Sequence, residues 1–64
     1  MRIAETRKKK GMSQRELSLA LGVSENYICL VEGGKIHPSD QIKRQLSEIL
    51  GVSVGFLFFE EKQA

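Results

Sequence analysis

Cys29 and His37 are the only cysteine and the only histidine in the chain. A catalytic nucleophile needs a base beside it and a third group to orient that base. No stretch of this sequence assembles such a set, and no glycine loop of the phosphate-cradling kind is present. A single cysteine rules out an internal disulfide, and one Cys with one His falls short of a structural zinc site. Cys29 reads as a small, partly buried helix residue, because nothing nearby would stabilise its thiolate; His37 reads as a loop residue. The chain is expected to be no enzyme and to hold no cofactor or metal.

Binding chemistry remains. Arg2, Arg7, Lys8, Lys9, Lys10 and Arg15 crowd the start of the chain against Glu5, whereas Glu60 and Glu61 lie near its end. A net charge of only +2 conceals that asymmetry. The placement suits a polyanion bound at one end of the molecule, although a solvated helix face would carry the same charges. With 64 residues the expectation is one domain, spanning 1–64, whose core supplies roughly 3–5 kcal/mol and leaves no room for a deep active-site cavity. The 41% apolar and 28% charged composition fits a soluble globule. Neither end has an apolar run long enough for a signal peptide or membrane span, so a cytoplasmic protein with no membrane partner is expected.

The elements that would position these residues are marked by interruptions. Glycines at 11, 22, 33, 34, 51 and 55 and the lone Pro38 divide the chain into helix-length pieces, with no sustained strand alternation. Helix 1 is predicted over about 2–10, with Ile3, Arg7 and the Lys10 stem on one side and Gly11 ending it. Ser13 followed by Glu16 is a capping-box pattern that opens helix 2 over 14–21. Gly22 suits a left-handed stop, and Ser24 caps a third helix over about 25–32. Pro38, Ser39 and Asp40 open a fourth over about 39–50, where Ile42, Leu46, Ile49 and Leu50 recur at three- and four-residue spacing. The segment VSVGFLFFE permits a strand or a short helix; the short helix, about 53–58, is taken. The fold class is all-α, a compact bundle of five short helices.

Between helices 2 and 3 the chain leaves only Gly22, Val23 and Ser24. Two short helices about so tight a turn form a helix-turn-helix, which presents the front of the second helix to a DNA major groove. Val23 would plug the corner, with Leu17, Leu21, Ile28 and Val31 as the facing apolar stripes. A plain αα-hairpin would use the same features, so spacing alone leaves both readings open.

The string RKKKGMSQRELSLALGVSENYICLVEGGKIHPS, with the later LSEILGVSVGFL, resembles the Cro and lambda-repressor-like helix-turn-helix family of bacteria and phages. That resemblance covers nearly the whole chain and implies the lambda-repressor-like form of the fold. It also implies sequence-specific binding of double-stranded DNA through the major groove, as a transcriptional regulator and in many members a repressor. By position, Gln14 matches a glutamine that holds a backbone phosphate, with a solvent-facing role as its alternative. Ser24, Glu25, Asn26 and Tyr27 match the front of the recognition helix. There Asn26 can read adenine, Glu25 can accept from cytosine, and Ser24 or Tyr27 can hold phosphate or a base edge. Leu30 stands where the family often places a polar base-contacting residue; it can pack on a thymine methyl instead. Leu19, on the outer side of helix 2, is a similar departure, and the two exposed leucines open part of this face to protein.

Arg7 and Glu32 match a pair joining helix 1 to the end of helix 3, the alternative being two independent surface charges. Ser13, Lys35, Lys10 and Arg15 are phosphate candidates, with Arg2, Lys9, Lys43 and Arg44 as lesser ones. Leu57 matches a buried closing position, which leaves Phe56, Phe58 and Phe59 as candidates for a homodimer surface on two half-sites about 34–36 Å apart. Their alternative is to cover the core of a monomer. A protein-interaction module on the same fold, such as an antitoxin or anti-repressor partner, is the rival reading.

Overall fold

In the computed structural model, which describes residues 2–58, five helices follow one another: α1 Ile3–Lys9, α2 Gln14–Leu21, α3 Glu25–Glu32, α4 Asp40–Leu50 and α5 Val54–Phe58. No strand occurs among the described residues. Phe59 lies outside them, together with the acidic residues Glu60 and Glu61.

Each start has a local cause. The Ser13 hydroxyl accepts from the Glu16 amide at 3.0 Å, and the Glu16 carboxylate accepts from the Ser13 amide at 2.8 Å, closing the capping box. The hydroxyls of Ser24 and Ser39 accept from the third helical amides of α3 and α4, Tyr27 and Ile42, at 3.0 and 3.3 Å. Ser53 does the same for Phe56 at 3.1 Å. Ser39 and Ser53 are therefore caps rather than first helical residues, and α4 and α5 each begin one residue later than the sequence pattern suggests. Arg2 is also outside its helix: its side chain makes no cap, and its amide donates to the Leu57 carbonyl at 2.7 Å, tying the start of the chain to α5.

The turn between α2 and α3 depends on backbone conformation. Gly22 has φ 75°, and the amides of Gly22 and Val23 both donate to the Ser18 carbonyl, at 2.9 and 3.0 Å, closing a Schellman-type end. A Cβ at Gly22 would meet nothing within 4 Å. The position thus needs glycine for its left-handed φ and not for space.

Ile3, Leu17, Leu21, Ile28, Val31, Leu46, Leu50 and Leu57 form one core, with Met12, Val23, Tyr27, Ile36, Ile42, Ile49, Val52 and Phe58 packed around it. Every helix contributes, so none of the five short helices has to stand on its own propensity. α2 packs principally on α3 and also on α4, while α5 closes against α1 and α4.

Candidate nucleic-acid interface

Glu32, the last residue of α3, would be disfavoured at a helix C-terminus if left alone, because the helix dipole places partial negative charge there. The fold offsets this with Arg7. Arg7 Nε donates to Glu32 Oε2 at 2.7 Å and Nη2 to Oε1 at 3.2 Å, a bidentate pair. The two side chains are only 8% and 7% exposed. A third Arg7 nitrogen, Nη1, donates to the Met12 carbonyl at 2.8 Å in the turn between α1 and α2. Gln14, the first residue of α2, completes the set by donating Nε2 to Glu32 Oε1 at 2.9 Å. One carboxylate thus joins α1, the following turn, α2 and the rear of α3.

The front of α3 is built differently. Ser24, Glu25 and Asn26 are exposed, and among the described residues the Glu25 and Asn26 side chains have no hydrogen-bond or ion-pair partner. Their donors and acceptors are available to a ligand. The Ser24 hydroxyl accepts from Tyr27, yet its own proton remains free to donate, as does that of Ser13.

The other sequence candidates divide by burial. Lys10, Arg15 and Lys35 are exposed and form no ion pair among the described residues, as are Lys8, Lys9 and Arg44. Gln14 is half-buried, with one amide hydrogen committed to Glu32. Tyr27 is half-buried and packs against the core. Arg7, counted in the basic cluster, is taken up by the internal pair, and Arg2 lies half-buried over the Phe56 ring, its guanidinium 4.5 Å from the centroid. Of the candidate dimer residues, Phe56 is 41% exposed and Phe58 is half-buried.

Three expectations are corrected. Lys43 does not extend to solvent: it shares the buried stripe of α4 with Leu46 and Leu50, and its ammonium lies 5.2 Å from the Phe58 ring centroid. Cys29 is exposed rather than partly buried, because Ile28 and Val31 define the inward side of α3 and Cys29 falls on the side of Glu25. Leu30 is half-buried, so of the two leucines only Leu19, 69% exposed, stands out. Sequence reasoning misses the bond from Gln14 to Glu32 and the role of the Met12 carbonyl. Neither has a periodic signature, since both depend on how α1 and α2 meet the end of α3. The Cys29 position is available from the helical spacing to Glu25 and Asn26.

The geometry is that of two short helices about a tight turn, the second held at its rear and open at its front. The helix-turn-helix family pattern matches residues 3–57. An uncharacterized HTH-type transcriptional regulator of Archaeoglobus fulgidus is 33% identical over 63 residues, covering 97% of this chain and 90% of the relative. No solved structure gives a significant match. The chain belongs to the helix-turn-helix family of the Cro/C1 type, and its five helices form the lambda-repressor-like all-α fold. Among the described residues no helix is long and apolar enough to cross a membrane.

Proposed function

We propose that this helix-turn-helix regulator binds double-stranded DNA sequence-specifically as a homodimer, represses transcription by occupying promoter DNA, and recognises an operator with two-fold symmetry. The observation that carries the reading is the contrast along α3: its last carboxylate is buried and bonded to two side chains, while its first exposed side chains, Glu25 and Asn26, have no partner among the described residues. Such a helix is fixed in direction and chemically unsatisfied at the end that enters a major groove.

In this mechanism Glu25 accepts from a base amino group and Asn26 makes a two-point contact with adenine, with Tyr27 and Leu30 flanking them. Ser13, Gln14 and Ser24 donate to phosphate at the starts of α2 and α3, while Arg15, Lys10 and Lys35 neutralise phosphates and set the salt dependence. No chemical conversion is involved. Phe56, Phe58 and Phe59 supply the apolar part of the contact between copies, and spacing across the pair places the two α3 helices on successive major-groove half-sites, about 34–36 Å apart.

Selection of randomised duplexes on the purified chain at moderate salt tests this. Enrichment of an inverted repeat is the expected result. Enrichment of a single, unrepeated site would remove the dimer, and retention of no duplex would remove DNA binding. The second reading, a protein-interaction module, is favoured by Leu19, 69% exposed on the outer side of α2; it predicts a co-purifying protein and no DNA affinity.

A further inference from the structure

Once the core and the Arg7 clamp are accounted for, the remaining surface of α3 is one narrow arc. Successive residues of an α-helix are turned by about 100°. Counted from Glu25, that places Cys29 roughly 40° round and Asn26 roughly 100° round, and all three are exposed. Cys29 therefore lies between Glu25 and Asn26 in angle and one turn further from the cap. Leu30 and Tyr27 follow beyond Asn26, toward the buried stripe, and are half-buried. The outward residue of the second turn is thus Cys29.

The chemistry of this arc is selective. α3 carries no Lys or Arg, the side chains that ordinarily meet the paired O6 and N7 acceptors of guanine. A carboxylate only accepts, so Glu25 suits the amino groups of cytosine or adenine; Asn26 suits the donor and acceptor pair of adenine. Cys29 behaves as a small, soft apolar group with a weak S–H donor, which suits the 5-methyl group of thymine. Leu30 can reach the same kind of group only from the edge of the arc.

We propose that α3 reads its half-site through cytosine, adenine and thymine edges without a direct guanine contact, and that Cys29, seated on a thymine methyl, is its second-turn specificity determinant in place of Leu30. This rests on the DNA-binding reading above and assigns one more residue to that site.

Because Cys29 is the sole cysteine, its thiol reports directly on the contact. The test follows its reaction with Ellman's reagent in the free chain and in the chain saturated with the duplex most enriched by selection. Protection of about tenfold or more is expected, a threshold corresponding to about 1.4 kcal/mol. Uracil then replaces each thymine of that duplex in turn. At one position the loss of the methyl weakens binding about fourfold; the effect shrinks in Cys29→Ser and persists in Leu30→Ala. A bound chain whose thiol reacts as fast as the free one overturns the inference and leaves DNA binding standing, as does uracil sensitivity that disappears in Leu30→Ala alone. A chain that retains no duplex at all overturns the DNA-binding reading first, and the inference with it.

Discussion

Glu25 and Glu32 are the same side chain at opposite ends of one eight-residue helix, and the fold treats them oppositely. Glu25 sits in the first turn, where the helix dipole favours an anion, and it is exposed and without a partner among the described residues. Glu32 sits in the last turn, where the dipole disfavours it, yet it is 7% exposed and held by Arg7 and Gln14. The carboxylate in the favourable place is left open, and the one in the unfavourable place is bound. This arrangement anchors the helix at one end so that its other end can be chemically free without being mobile.

The contrast between the two ends fails most visibly if the anchor is removed. Glu32→Ala leaves the Arg7 guanidinium buried without its counter-charge, a loss of about 3–5 kcal/mol. That is comparable with the whole stability of a domain this small, roughly 3–5 kcal/mol. The expected outcome is a chain largely unfolded at room temperature by circular dichroism, with weakened DNA retention although Glu32 itself touches no DNA. A variant with full stability and affinity would reduce the pair to ordinary surface charges.

Gly22→Ala tests the turn that separates the two ends. Forcing an alanine into the left-handed region costs roughly 1–2 kcal/mol. With open space around the Cβ, no clash is added, so a lowered urea midpoint with unchanged slope is expected. Ser24→Ala loosens the free end by removing the cap bond to Tyr27, at about 1 kcal/mol, again read from urea denaturation. DNA affinity should fall by more than the change in folded fraction accounts for if Ser24 also donates to phosphate, as proposed above. Affinity that follows the folded fraction alone would restrict Ser24 to capping.

The smallest effect on stability is expected at the open end itself. Glu25→Ala should leave the thermal melt nearly where it was while relaxing selection at one base pair, a discrimination of about 1–3 kcal/mol for a good contact. Repeating the duplex selection with this variant checks it. A stability loss rivalling that of Glu32→Ala would erase the difference between the two carboxylates.

Much of this architecture is legible in the amino-acid sequence. The capping box at Ser13 and Glu16, the cap at Ser24, the left-handed stop at Gly22 and the stripe of Leu17, Leu21, Ile28 and Val31 are local or periodic features. Their physical causes act within a turn or two of chain, so neighbouring residues are enough to reveal them. The pairing of Arg7 with Glu32 is legible only through resemblance, since 25 residues separate them and nothing local links their charges. Burial of Lys43 runs against its residue type: a long stem lets a charged head reach an aromatic ring while the chain packs inward.

Residue order by itself determined which segments become helices, to within about a residue at their ends, and which stripes they bury, because hydrogen bonds at caps and turns and the 3.6-residue period act over a few residues. Only the tertiary structure decided which charges became internal. It withdrew Arg7 and Lys43 from the surface and fixed Gln14 on Glu32, because burial and pairing depend on which helix faces which.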